Sequence, residues 1–99
     1  MREGTTQSYT FEIDLPTSEI EKAKVSFEQD GNIIIEKRED DLGFYENCIG
    51  VVLSQEETFL FDKEKVFHIQ LRVKTKDGAV LSTDEFVRSI YPCLDREVL

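Results

Sequence analysis

The sequence predicts an all-β fold, an antiparallel β-sandwich of six to seven strands with one or two short helical turns. Several short stretches alternate apolar and polar residues with a period of two, which is typical of strands with one buried face. Asp-Gly occurs twice between such stretches, and this dipeptide favours tight hairpins. No internal repeat and no long amphipathic helix is present. A chain of 99 residues fits a single domain covering residues 1–99.

The first strand is predicted around Tyr9, Phe11 and Ile13, which alternate with polar residues. Residues 14–19 then break the alternation, because Pro16 cannot donate to a sheet and its neighbours favour turns. We expect a crossover or a single helical turn in this segment.

Two further strands are predicted at residues 23–28 and 33–35, with Asp30-Gly31 between them. Asp-Gly favours a type I′ turn, in which both central residues take positive φ, so these strands should pair as a hairpin. The charged residues 36–47 read as an exposed connection with an irregular edge segment. Alternation returns at residues 49–53, which predicts a fourth strand.

Ser54-Gln55-Glu56-Glu57 has the form of a capping box and predicts a short helical corner. Residues 67–74 then give the longest alternating pattern in the chain, and Asp77-Gly78 marks a second hairpin. The return strand runs from Val80 to Tyr91, with a bulge expected near residues 82–84.

The predicted core lies between two sheets. Its members are Tyr9, Phe11, Val25, Phe27, Ile33, Ile35, Val51, Leu53, Phe67, Ile69, Leu71 and Val73. Two of the apolar runs are continuous, so alternation places Ile34 and Val52 on the outer face. These two residues are the candidate interface with a partner or a second copy, and a neighbouring unpaired sheet edge is the alternative docking surface. The alternative is cover by the C-terminal tail or by the segment holding Phe44 and Tyr45.

The chain is acidic, with 12 Lys and Arg against 21 Asp and Glu and a net charge of −9. This balance repels phosphates, so no nucleic-acid partner is expected. No apolar stretch is long enough to span a bilayer, and no apolar run follows the basic residue near the N-terminus. We therefore expect no membrane association and a cytoplasmic location.

No set of residues predicts catalysis, a metal site or a cofactor. His68 is the sole histidine and falls on the outward side of a predicted strand, without a triad pattern. Cys48 and Cys93 match no zinc or redox spacing, and both free thiols and one disulfide stay open. An acidic cluster lacks the spacing of a calcium loop and is expected to be solvated. It consists of Glu36, Glu39, Asp40, Asp41 and Glu46.

Five segments spread over nearly the whole chain carry a resemblance: Tyr9-Thr10-Phe11, Ala23-Lys24-Val25-Ser26-Phe27-Glu28-Gln29-Asp30-Gly31, Leu53-Ser54-Gln55-Glu56-Glu57-Thr58, Ile69-Gln70-Leu71-Arg72-Val73 and Cys93-Leu94-Asp95-Arg96-Glu97-Val98-Leu99. In them the chain resembles a family of small prophage-encoded proteins of Gram-positive bacteria. Its strand pattern is also similar to the immunoglobulin-like domain at the start of some phage baseplate proteins. Arg88 departs from the family pattern, because it falls among apolar positions, and this leaves the burial of the last strand open.

The resemblance implies an immunoglobulin-like sandwich and a non-enzymatic phage structural or accessory protein that binds other proteins. Its partner would be a virion or tail component or a second copy of the chain, in the bacterial cytoplasm or in the virion. The alternative hypothesis is a small acidic inhibitor whose carboxylates mimic nucleic acid and block a host or phage enzyme.

Overall fold

Two antiparallel sheets pack against each other in a computed structural model that describes all 99 residues. The strands are β1 Gln7–Glu12, β2 Ile20–Gln29, β3 Asn32–Arg38, β4 Gly43–Tyr45, β5 Cys48–Leu53, β6 Phe67–Thr75, β7 Val80–Ser82 and β8 Phe86–Arg88. Short 3-10 turns cover Thr17–Glu19 and Glu39–Asp41, and one helical turn, α1, covers Gln55–Thr58. The smaller sheet has the order β1-β5-β4. The larger sheet has the order β3-β2-β6, and β6 then pairs with both β7 and β8.

The strand order is that of an immunoglobulin-like sandwich. In that fold, strands A, B, E and D form one sheet, and C and F with G form the other, to which variable-type domains add C′. Here β1, β5 and β4 take the order B, E, D, while β3, β2, β6 and β7–β8 take the order C′, C, F, G. The predicted fold is therefore confirmed, with one difference: no strand occupies position A beside β1.

Aromatic rings fill the centre of the core. Phe27 on β2 is fully buried, and its ring centroid lies 5.9 Å from Tyr9, 6.1 Å from Phe61 and 6.4 Å from Phe67. Antibody domains place a tryptophan and a disulfide between the sheets at this level. This chain stabilises the same region with packed rings, which bury a large apolar area.

The two Asp-Gly sequences form the predicted hairpins, with different turns. At the first, Asp30 has φ 54° and Gly31 has φ 82°, as a two-residue type I′ turn requires. At the second, Gly78 has φ 95°, but Asp77 does not have a positive φ, and Thr75 bonds to Ala79 across a three-residue loop. This is the type I turn with a left-handed glycine, the next most common hairpin connection.

Ile33 and Ile34 differ from their predictions, which placed Ile33 in the core and Ile34 on the outer face. Phe27 pairs with Ile35 whereas Glu28 pairs with Ile33, so a β-bulge leaves Ile34 without a cross-strand partner. Ile33 is 57% exposed, and Ile34 is half-buried against the core. The predictions of a buried Ile33 and an outward Ile34 were wrong, because the extra residue shifts the alternation by one position.

The remaining core predictions hold, apart from Tyr9, which is half-buried. The other ten predicted core residues are buried. The core also includes four residues that were not predicted: Ala23, Ile49, Phe61 and Ile90.

The capping box is formed as predicted. The Ser54 hydroxyl accepts a hydrogen bond from the Glu57 N–H at 3.2 Å, and the Glu57 carboxylate accepts one from the Ser54 N–H at 2.9 Å. α1 also anchors the C-terminal tail, since Gln55 exchanges two hydrogen bonds with Leu99. The tail does not pack through Leu94, which is fully exposed.

Candidate functional site

The missing strand leaves one side of the sandwich open. β1 is the edge of the smaller sheet, and β7–β8 form an edge of the larger sheet on the same side. Between them lies a groove that we call the lateral cleft. Its main lining residues are Tyr9, Phe11, Ile13, Leu15, Ile69, Leu71, Leu81, Thr83 and Phe86.

The lateral cleft is a continuous depression. Two hollows of about 210 Å³ and about 180 Å³ share Thr83, and the second shares Leu15 and Leu81 with a third hollow of about 460 Å³. The third lies between the loop after β1 and the hairpin at Asp77-Gly78. The groove therefore runs from Arg88 to the hairpin at Asp77-Gly78. Beyond β8 the side is closed, because residues 1–3 pair in parallel with Tyr91.

Core-facing side chains are exposed in the cleft. Leu81 pairs with buried Val73, and Phe86 pairs with buried Ile69, so both point to the same side as the core. Leu81 is nevertheless 46% exposed and Phe86 40% exposed. A strand at position A would cover both, and its absence leaves them open to solvent.

The β1 edge also presents unpaired backbone groups. The Ile13 N–H donates to the Asn47 carbonyl at 2.9 Å, so the backbone groups of the odd-numbered residues face β5. By the two-residue period of a strand, the N–H and C=O groups of Ser8, Thr10 and Glu12 point toward the cleft. These are groups that another strand can pair with.

The edge of the larger sheet that borders the cleft consists of β7 and β8, with an irregular segment between them. The Thr83 backbone N–H donates to the Leu71 carbonyl at 2.9 Å, and the Thr83 hydroxyl accepts from the Leu71 N–H at 3.1 Å. The pairing with β6 shifts by one residue between Ser82 and Phe86. The bulge predicted near residues 82–84 is confirmed, and it keeps both Leu81 and Phe86 on the cleft side.

The structure does not bring Ile34 and Val52 together. Ile34 belongs to β3 in the larger sheet and packs inward, whereas Val52 lies on β5 in the smaller sheet. Val52 is 53% exposed and pairs with Ser8 on the outer face. No single surface contains both residues. A role for either in an interface stays a prediction, and each would have to act separately.

His68 is less exposed than predicted. Its side chain is 31% exposed, and its Nδ1 atom is buried without a hydrogen-bond partner, 3.8 Å from the Glu85 carboxylate. Its backbone pairs with Glu28 on one side and Val87 on the other. His68 lies on the outer face of β6, between buried Phe67 and Ile69, as predicted, but its side chain is half-buried.

The acidic cluster is used within the fold. Glu36 forms an ion pair with Arg38 at 2.6 Å, and Glu39 accepts the Ala23 N–H at 3.1 Å. Hydrogen bonds from its own N–H and from that of Ala23 lower the pKa of Glu39. No three His, Cys, Asp or Glu side chains converge as metal ligands.

Cys48 and Cys93 are free thiols. None of the helices has the length and apolar character needed to span a membrane.

The predicted interface residues, Ile34 and Val52, do not line the lateral cleft. The sequence places Leu81 and Phe86 on the return strand, but it does not show whether the smaller sheet covers them. That cover depends on how many strands the smaller sheet has.

Comparisons with known proteins add little to the fold. No protein-family model matches the sequence, and no curated protein matches it. A solved structure similar to the chain is the V domain of amphioxus IgVJ-C2, with 12% identity, a TM-score of 0.37, and coverage of 92% of this chain and 95% of that one. Because this score is low, the fold assignment rests on the strand order.

Proposed function

We propose that this domain is a non-catalytic protein-binding module that takes an extended segment of a partner protein into the lateral cleft. The observation that carries the proposal is the exposure of Leu81 and Phe86, which face the core side and lack a covering strand. Addition of a strand to a sheet edge is a recurring mode of peptide recognition.

The bound segment would lie beside β1. Its backbone would pair with the free groups of Ser8, Thr10 and Glu12, and alternate side chains would enter the cleft. Apolar side chains suit these positions, since Phe11 and Phe86 form a ring pair there at 6.2 Å. Each apolar contact would remove exposed core-type surface from water, worth roughly 25 cal/mol per Å².

The resemblance to prophage-encoded proteins extends the proposal. We infer that the chain is a phage structural or accessory protein and that its partner is a virion or tail component. It would act in the bacterial cytoplasm or within the virion. A second copy of the chain is the alternative occupant of the cleft.

The test of the cleft uses a synthetic eight-residue peptide that alternates valine with threonine and carries a lysine at each end. Binding should slow hydrogen exchange of the Ser8, Thr10 and Glu12 amides, measured by NMR, because they become paired. Leu81→Asp should abolish this protection. Val87→Asp is the matched control, because Val87 is 49% exposed and pairs with His68 on the outer face of the sheet, outside the cleft. Equal losses in both variants would contradict the proposal.

The test of the partner is capture from the lysate of an induced lysogen, followed by mass spectrometry. The natural chain and Val87→Asp should retain virion or tail proteins, and Leu81→Asp should not. Capture of a host or phage enzyme in their place would favour the inhibitor hypothesis.

A further inference from the structure

The outer face of the larger sheet carries a basic patch. We use this name for five residues, Lys22, Lys24, Arg38, Arg72 and Lys74, which lie on three adjacent strands. They are five of the 12 Lys and Arg in a chain of net charge −9. They surround a shallow depression of about 200 Å³. Five cations therefore share one face of an acidic protein.

The register sets these cations directly opposite one another. Lys22 pairs with Lys74, and Lys24 pairs with Arg72 on one side and Arg38 on the other. Like charges that face each other across strands destabilise a sheet. Three such pairs in an acidic protein indicate a feature retained at a cost to stability, as binding sites are.

The patch is only partly neutralised by the chain itself. Glu36 lies 2.6 Å from Arg38 and 3.8 Å from Lys24. None of the ion pairs in the molecule includes Lys22, Arg72 or Lys74. Lys22 is close enough to Glu39 to lower the pKa of that carboxyl, so Arg72 and Lys74 are the cations most available to an anionic ligand.

The form of the patch favours an acidic polypeptide over a nucleic acid. Cations on alternate residues of one strand are about 6.6 Å apart, which equals the spacing of alternate side chains on an extended ligand. None of the residues that line the depression is aromatic, so no platform for stacking bases exists. A long polyanion would also extend beyond the patch onto the acidic remainder of the surface.

We propose that the basic patch binds an acidic segment of a partner protein, extended and with carboxylates on alternate residues. Arg72, which has no ion-pair partner in the chain, would donate paired hydrogen bonds to a carboxylate, and the lysines would supply point charges. This site is on the outer face of the larger sheet, away from the lateral cleft, and does not depend on the function proposed for the cleft.

The experiment measures binding of an eight-residue peptide that alternates glutamate with serine, by fluorescence anisotropy at physiological ionic strength. Arg72→Glu should weaken binding by about tenfold or more, since it removes a charge-assisted hydrogen bond and adds repulsion. Lys63→Glu is the matched control, because it makes the same charge change at an exposed lysine outside the patch. It should leave the affinity nearly unchanged.

A second variant separates binding from folding. Arg72→Thr should lose affinity for the peptide and also raise the melting temperature, because it relieves the facing charges on Lys24 and Arg72. A residue with a purely structural role would lower the melting temperature on substitution. The proposal is overturned if the peptide does not bind, if Lys63→Glu weakens binding as much as Arg72→Glu, or if a single-stranded oligonucleotide of equal charge binds as tightly.

Discussion

Glu3 joins the two ends of the chain through a buried carboxylate. The residue is 1% exposed, and its carboxylate accepts the Cys93 N–H at 3.1 Å and an Arg96 guanidinium N–H at 2.7 Å. The Arg96 guanidinium in turn lies 4.5 Å from the centre of the Phe59 ring. A buried charge is tolerated only when it is paired and hydrogen-bonded in this way.

The environment of Glu3 predicts a pH-dependent stability. Burial acts to raise its pKa, but the Cys93 N–H and the Arg96 guanidinium outweigh burial, so the pKa lies below its ordinary value of 4.5. A carboxyl with a lowered folded-state pKa stabilises the fold above its unfolded pKa. That stabilisation is lost as the pH falls through the folded-state pKa.

Glu3→Gln should therefore lower the free energy of unfolding at pH 7 by about 1–3 kcal/mol, because an ionised hydrogen-bond acceptor is replaced by a neutral one. The difference from the natural chain should shrink as the pH falls below the ordinary value of 4.5 and through the lowered folded-state pKa, because the natural carboxyl then also becomes protonated. Urea unfolding across this pH range measures it. Glu97→Gln makes the same charge change at an exposed side chain and should show no such trend. A constant difference for Glu3→Gln would contradict the assignment.

At the scale of single elements, local chemistry was a reliable guide. The turn at Asp30-Gly31 and the capping box at Ser54 and Glu57 were both predicted from short sequences and are confirmed. Each depends on backbone geometry and side-chain groups within a few residues. Distant parts of the chain have little influence on such features.

Glycine 31 offers a test at this scale. Gly31→Val should destabilise the fold by roughly 1–2 kcal/mol, because a β-branched residue tolerates positive φ poorly. The control is Gly43→Val in β4, where φ is not positive and nothing lies within 4 Å of an added Cβ. Valine suits a strand, so this variant should be neutral or more stable. Equal destabilisation in thermal unfolding would count against the turn assignment.

The bulge at Ile34 was beyond the reach of the sequence. Three consecutive isoleucines satisfy either alternation equally well, so the pattern does not specify the register. The pairing of Glu28 with Ile33 decides it, and that pairing depends on the rest of the sheet. Glu3 was missed for a related reason, since its partners lie 90 or more residues away.

At the scale of the whole molecule, function depends on what the two sheets leave uncovered. The strand count of the smaller sheet creates the lateral cleft, and alternating lysines and arginines on β2 and β6 create the basic patch. The sequence itself places cations on alternate residues, at Lys22 and Lys24 and at Arg72 and Lys74. The net charge of −9 obscured it, because a sum over the chain carries no information about position.

If a second copy of the chain occupies the cleft, the net charge predicts how that pairing depends on salt. An open edge favours pairing between copies, but two chains of net charge −9 repel each other. The repulsion acts over about 30 Å at 0.01 M salt and only about 8 Å at 0.15 M. Self-association through the cleft should therefore increase with salt concentration.

Light scattering or sedimentation of the natural chain should show a mass that rises with salt at fixed protein concentration. Leu81→Asp should stay monomeric throughout, because it places a charge in the cleft, and Val87→Asp should behave like the natural chain. The opposite salt dependence has a different physical cause. A mass that falls as salt is added would mean that the basic patch of one copy attracts the acidic surface of another, since salt weakens attraction between opposite charges. In that case the contact between copies would not be through the cleft, and Arg72→Glu, not Leu81→Asp, would prevent it.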